Sequence, residues 1–438
     1  MWKPLSRAER DAHVARERTH IWPPYTSRDR HESHDPLVIV SAEGSWLVDE
    51  RGGRHFDAMG SWWTCTLGHR HPRLVAKVKA QADVLFHVAA GGITHPEIAL
   101  LAEELANVAP KGLVRTHFSD DGSTAVEVAS KAAFQYWQQN GRPSRKRFIA
   151  LAGAYHGDTL GAMSLASIEE FRGTFGPLLF DVIRAPHPSD VGGWDRVVSH
   201  VREACLNEPD AIAGLIVEPL VQGASGMRIH DAKTLRALFD ITREIDTFFV
   251  ADEVFTGYGR TGSMWACDQA GITPDLMCIA KGYTAGVLPM AATMSTARVY
   301  DGFKGGADRT LMHGHTFCGH ALGAAVAREV LAIYRDEKVL EGIAVRASMI
   351  AAWTESLREL PLVQGVRALG MIGAIDLGEV GYGGNGMGLR ICAKAAKRRI
   401  HLRPLGDTIY VTPRLNVPLD ELSWLLDGLE DLLRGERG

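Results

Sequence analysis

Lys281 ends an apolar run, Leu276-Met277-Cys278-Ile279-Ala280, and Gly282 follows it directly. An unpaired ammonium is costly to bury, so such a lysine either reaches out to solvent or is held inside for chemistry. Asp252 ends a second apolar run, Phe248-Phe249-Val250-Ala251. Gly122-Ser123 opens a strong helical pattern, and Tyr155-His156-Gly157 comes just after a third apolar stretch. Each has a plain structural use. Lys281 can snorkel, Asp252 can cap a turn with Glu253 solvated beside it, and Ser123-Thr124 can simply start a helix. As a set, however, they meet the demands of pyridoxal phosphate. A lysine whose pKa is depressed by desolvation can bond to the cofactor's aldehyde. A carboxylate keeps the pyridine nitrogen protonated, so that the ring draws electrons. Two charges about 4 Å apart at an effective dielectric near 20 are worth roughly 4 kcal/mol, or about three pKa units. Tyr155 offers an aromatic plate, and the helix start offers N–H groups to a phosphate.

The elements that would position these residues alternate. Candidate strands are Thr116–Ser119, Arg147–Leu151, Val182–Ala185, Gly214–Glu218, Thr247–Asp252 and Leu276–Ala280, with helical patterns at Ser123–Gln139 and Ala232–Ile245 between some of them. Such alternation predicts an α/β fold with a mostly parallel sheet, whose ligands sit beyond the carboxyl ends of the strands. Those ends carry Asp120-Asp121-Gly122-Ser123, Glu218-Pro219, Asp252-Glu253 and Lys281-Gly282. Thr124 and Glu127 have capping-box spacing. TGYGRTG (256–262) contains G-x-G-x-x-G, but no helix follows at once and the next strand ends in lysine; a tight glycine loop is the better account. SWLVDERGGRHFDAM reads as a hairpin. A Gly-rich stretch, GEVGYGGNGMG, and an amphipathic helix from Leu419 lie near the other end. Both ends are expected to build a second, smaller α+β domain: 1–74 and 331–438 around a large domain at 75–330.

Composition narrows the classes. At 438 residues, 46% hydrophobic and net charge −4, the chain suits a large-cored globular protein and lacks the basic excess of a nucleic-acid binder. No apolar run approaches the roughly 20 residues of a membrane span. The N-terminus has no apolar core of a secretion signal, and six scattered cysteines read as reduced thiols, so a cytoplasmic location is expected. His69-x-His71 and His313-x-His315 lack the neighbouring ligands of a metal site, and no metal is expected.

The key residues sit in longer motifs. FVADEVFTGYGRTG and PDLMCIAKGYTAGVLPMAA resemble the signature of class III pyridoxal-phosphate aminotransferases. The similarity continues through HIWPPYTS (20–27), GSWWTCTLGHRHP (60–72), GGITH (91–95), FSDDGSTAVEVASKAAFQYW (118–137), YHGDT (155–159), VEPLVQGASGM (217–227), MHGHTF (312–317) and HLRPLGD (401–407). The resemblance implies the fold-type-I α/β architecture, with a seven-stranded, mostly parallel sheet in the large domain. It implies that Lys281 bonds the cofactor and moves a proton between substrate Cα and cofactor C4′. Asp252 would pair with the pyridinium, Val254 and Tyr155 would flank the ring, and Gly122 and Ser123 would bind the phosphate. His156 and Glu218 would belong to the same cofactor site. Thr316 would reach the phosphate of the other subunit in a homodimer whose sites lie at the interface. Tyr25, Trp62, Trp63, Tyr155, Gly314 and His315 would line the substrate pocket, with Tyr25 also counted as catalytic, and Arg403 would pair with a keto-acid carboxylate. Without the family context the tryptophans read as core and Arg403 as a surface ion pair.

The implied activity is amino transfer to 8-amino-7-oxononanoate in biotin biosynthesis, by a ping-pong cycle through pyridoxamine phosphate. S-adenosylmethionine is the expected donor. Lysine is the alternative, because His315 and His320-Ala321 stand where Pro and Asn-Pro are common. The rival activity is that of another class III ω-aminotransferase, acting on ornithine, 4-aminobutyrate or an ω-amino acid with pyruvate.

Overall fold

The structure, a computed structural model, describes residues 4–380, 382 and 386–436. Among them seven strands form a central sheet: β1 Leu113–Ser119, β2 Arg147–Leu151, β3 Val182–Ala185, β4 Ile212–Val217, β5 Phe248–Asp252, β6 Leu276–Ile279 and β7 Ala291–Thr296. Their order is β1-β7-β6-β5-β4-β2-β3. Strand β7 runs antiparallel to both its neighbours, and the remaining pairs are parallel. The six apolar runs are therefore all strands, with ends moved by a few residues. Strand β7 escapes a pattern search because AATMST is built mostly of small residues.

Every residue of β4, β5 and β6 is buried, as a sheet covered on both faces requires. One face takes helix Gly122–Gln139, whose inward stripe of Ala125, Ala129, Ala132 and Ala133 lets it lie close to the strands. Trp137 fills the end of that contact, 4.7 Å from the Phe248 ring, and its indole N–H donates to the Ala213 carbonyl at 2.8 Å. The opposite face takes helices Trp194–Asn207 and Ala232–Glu244 through Val197, Val201, Leu235 and Leu238.

The start of helix Gly122–Gln139 differs from the expected Thr124–Glu127 box. Asp121 is the N-cap: its Oδ1 accepts the Thr124 N–H at 2.9 Å, and the Thr124 hydroxyl accepts the Asp121 N–H at 3.0 Å. Glu127 is drawn elsewhere, because the unpaired N–H groups opening helix Leu160–Leu165 lie within its reach. It accepts from the Thr159 hydroxyl at 2.6 Å and the Gly161 N–H at 2.8 Å, which ties the segment after β2 to this helix.

The two ends of the chain meet. Ile39–Glu43, Trp46–Asp49 and Arg54–Asp57 form the expected antiparallel ladder, and Ile400–His401 joins it in parallel with Ile400 opposite Phe56. Gly365–Leu369, Ile372–Val380 and Gly406–Val411 make a second antiparallel sheet. Helix Leu419–Arg434 buries Leu422, Leu425, Leu429 and Leu433. Part of GEVGYGGNGMG lies outside the described residues. Among the described residues no helix is long and apolar enough to cross a membrane.

The sheet centre carries a direct test. Phe249 is fully buried, and its N–H donates to Asp275 Oδ2 at 2.8 Å. Phe249→Ala should cost about 3–5 kcal/mol, read as a lower urea midpoint of the transition that includes the central sheet. An unchanged midpoint would contradict this packing.

Candidate active site

The carboxyl ends of β1, β2, β4, β5 and β6 converge on a cavity of about 430 Å³. Gly122, Ser123, Tyr155, His156, Glu218, Asp252, Val254 and Lys281 all line it, as does Trp63. The segment entering antiparallel β7 closes the same edge with Pro289 and Met290.

Lys281 does not snorkel to the outer surface. It begins a single turn, Lys281–Thr284, with φ +47°, a left-handed conformation costing a non-glycine residue about 1–3 kcal/mol. Its side chain is half-buried and faces the cavity, with Nζ 5.0 Å from the centre of the Trp63 ring. Protein packed around the amine lowers its pKa, while the carboxylates of Asp252 and Glu218 oppose that shift.

Both carboxylates are held by groups of the protein itself. Asp252 Oδ2 lies 2.7 Å from His156 Nδ1, and Oδ1 accepts the Val254 N–H at 3.1 Å. The other imidazole nitrogen, Nε2, is buried without a partner. Glu218 accepts the Tyr155 N–H at 3.2 Å and the Gly223 N–H at 3.0 Å. Burial first, and the nearby Asp252 charge second, push the Glu218 carboxyl well above its usual range. Glu253, for which a solvated place is one reading of the sequence, is buried. The Thr256 hydroxyl donates to it at 2.6 Å and the Cys267 N–H at 2.8 Å, and burial raises its carboxyl to about 7.

The helix start forms a tight anion cradle. The first N–H groups of a helix have no intrahelical partner, and those of Gly122 and Ser123 lie at the cavity wall. A Cβ on Gly122 would sit 2.7 Å from Val254 Cγ1, and one on Gly157, at φ +124°, would sit 2.1 Å from Ser123 Oγ. Space beside the cradle is thus kept by two glycines.

At the mouth, the Tyr25 and Tyr155 hydroxyls lie 3.1 Å apart, and both donate to Asp158. Burial, then the bond to Asp158, pushes the Tyr25 hydroxyl up to about 12. Trp62 meets Tyr25 edge-on at 5.6 Å, and the Arg403 guanidinium lies 4.7 Å over the Trp62 ring. Phe171 packs against Tyr25, Tyr155 and Tyr382. Asp158 stood unused inside YHGDT, three residues after Tyr155. Phe171 and Tyr382 carry no local signal, because only tertiary folding brings their segments here. Trp63 is core as well as wall, at 6% exposed, and Trp62 is not core, at 37%.

Gly314, His315 and Thr316 are not among the residues lining this cavity of their own chain. Gly314 and Thr316 are exposed, and His315 Nδ1 stands 3.0 Å from Asp120 Oδ2.

The donor set fits pyridoxal phosphate. A desolvated amine, a fixed carboxylate for the ring nitrogen, an aromatic ring, and a helix-start cradle for the phosphate share one space of suitable size. Known proteins agree. The family model described as Aminotransferase class-III matches residues 27–433. An adenosylmethionine-8-amino-7-oxononanoate aminotransferase of Geobacter sulfurreducens is 41% identical over 433 residues, covering 94% of this chain and 95% of the relative. The enzyme of the same name from Synechococcus elongatus is 39% identical over 422 residues, covering 94% and 98%. The crystal structure of the Methanocaldococcus jannaschii enzyme of that name superposes with a TM-score of 0.93 at 32% identity, covering 97% of this chain and 99% of the other. An amine transaminase from an uncultivated Pseudomonas species, in its PLP-bound form, gives 0.88 at 31% identity, covering 94% and 98%. With a match over nearly its whole length and a site that accommodates the cofactor, the chain belongs to the class-III aminotransferases, enzymes that work with pyridoxal 5′-phosphate.

Proposed function

We propose that this enzyme transfers an amino group to 8-amino-7-oxononanoate on the route to biotin, with S-adenosylmethionine as donor. The observation that carries this reading is the aromatic cluster that Tyr25, Trp62 and Phe171 form beside Tyr155 of the cavity wall, with Arg403 over the Trp62 ring; we take it as the substrate passage. Such a passage suits an aliphatic amino-ketone whose far end is a carboxylate. The names of the relatives support the same substrate.

When bound, pyridoxal phosphate supplies the aldehyde carbon that receives the amino nitrogen and the ring that withdraws electrons from it. Gly122 and Ser123 would hold the phosphate through the helix start. Tyr155 and Val254 would flank the ring, and Asp252, oriented by His156, would hold the proton on the pyridine nitrogen. Glu218 stands at the same cavity wall, anchored by Tyr155 and Gly223 N–H groups. Lys281 Nζ, whose ammonium form is disfavoured by burial, would hold the cofactor at its aldehyde carbon, the carbonyl oxygen leaving as water, and would serve as the proton carrier between substrate Cα and C4′. Tyr25 and Tyr155, fixed by Asp158, orient substrate, and Arg403 takes its carboxylate. Trp63 closes the wall beside Lys281.

The enzyme is proposed to be a homodimer in the cytoplasm, with a large domain at 75–330 and a smaller one from 1–74 and 331–438. Val84, Phe86, Ile93, Met312 and Phe317 are exposed apolar side chains on neighbouring segments, where Phe317 packs on His87 at 4.9 Å. A second copy covering them is the proposed subunit interface, from which Thr316 is proposed to reach the partner's phosphate site. All six cysteines are free thiols.

Three outcomes test this. Adding S-adenosylmethionine alone to the holoenzyme should bleach the cofactor's visible band in a single half-turnover. Bleaching by lysine alone would reverse the donor assignment. Lys281→Ala should retain cofactor but lose turnover by about 10³-fold or more, and an active variant would sink the scheme. Gly157→Ala, which drives a methyl group into Ser123, should weaken cofactor affinity in titrations of the apoenzyme by about tenfold or more. Unchanged affinity would place the phosphate elsewhere.

A further inference from the structure

Gly60, Ser61, Trp62 and Trp63 have φ of +57°, +46°, +62° and +74°. Four successive left-handed residues form a turn of the wrong hand for L-amino acids, and only glycine adopts it without steric cost. Such a turn persists only where its surroundings over-determine it. Its consequence is at the active site. It sends Trp63 inward, 5.0 Å from Lys281 Nζ and 4.4 Å from the Phe255 ring, and Trp62 outward beneath Arg403.

The anchor is Asp57, the last residue of the strand before the turn, at 3% exposed. Its Oδ1 accepts the Met59 N–H at 3.3 Å. Its Oδ2 accepts the Ser61 hydroxyl at 2.8 Å and lies 2.9 Å from His69 Nε2. His69 is itself fixed by paired backbone bonds with Gly44. Burial opposes charge on the imidazole, yet its bonds to Asp57 and Cys65 outweigh burial and push it up to about 10. Burial likewise opposes the Asp57 carboxylate, but His69 and Ser61 hold it below the usual range. Farther along, the Thr412 hydroxyl donates to the Met59 carbonyl at 3.2 Å and the Thr64 hydroxyl to the Ser61 carbonyl at 2.8 Å.

We propose that Asp57, locked by His69, is a positioning residue that holds this left-handed turn and thereby sets Trp62 against Arg403 and Trp63 beside Lys281. Its effect on substrate rests on Trp62 and Arg403 lining the substrate passage, as proposed above.

Asp57→Asn keeps the shape but replaces one acceptor oxygen by a donor amide. In crystals of the variant apoenzyme, Ser61 to Trp63 should return to negative φ. The KM for 8-amino-7-oxononanoate should rise by about tenfold. His69→Gln should shift both in the same direction and, as the milder change, serves if Asp57→Asn does not fold. Adding Ser61→Gly to either variant removes one residue's steric cost, so the turn should re-form and KM should fall back towards the parent value. A purely structural role for Asp57 would lower thermal stability without this rescue, and so would overturn the inference. A left-handed turn that survives in the single variants overturns it at the anchor. A lost turn with unchanged KM instead removes Trp62 and Arg403 from the substrate passage, and with them the positioning role.

Discussion

Placing one half-buried primary amine at a cavity wall, beside two buried carboxyl groups, is the constraint on which this site depends. Burial pushes the Lys281 pKa down, and the charges of Asp252 and Glu218 push it back up. The net effect lowers the amine's pKa, the direction that a nucleophile and proton carrier requires. The carboxylates must then be fixed by something other than the lysine. Asp252 is held by His156 and the Val254 N–H, and Glu218 by the N–H groups of Tyr155 and Gly223. The polar frame is therefore fixed by the protein's own groups, which is the arrangement that electrostatic catalysis needs.

The backbone stores strain around the same point. Tyr25, Ser61, Trp62, Trp63, Lys281 and Ala285 all have positive φ, and all lie at or beside the cavity or its mouth. At about 1–3 kcal/mol for each non-glycine residue, this strain must be offset by the surrounding fold. The all-buried strands β4, β5 and β6 and the helices covering them supply that rigidity, and the pairing of Phe56 with Ile400 joins the two ends of the chain beside the turn that carries Trp62.

Much of this was legible in the sequence where chemistry coincides with a strand end. Lys281, Asp252, Glu218 and Gly122 follow apolar runs whose burial is dictated by composition, so their placement at one sheet edge follows from topology. Local patterns misled where a better partner lay far along the chain. Glu127 has the spacing of a cap for its own helix but serves Thr159, and Glu253 looks solvated but is enclosed when the chain returns at Cys267. The left-handed turn was invisible because its residues after Gly60 are ordinary L-amino acids, and nothing local favours that hand. Phe171 and Tyr382 reach the mouth only through tertiary folding.

The most direct measurement concerns which lysine carries the cofactor. Borohydride treatment of the holoenzyme, followed by peptide mass mapping, traps the cofactor on the lysine to which it is bonded. The label is expected on the peptide containing Lys281 and should be abolished in Lys281→Ala. A label on any other lysine, or none on this peptide, would contradict it.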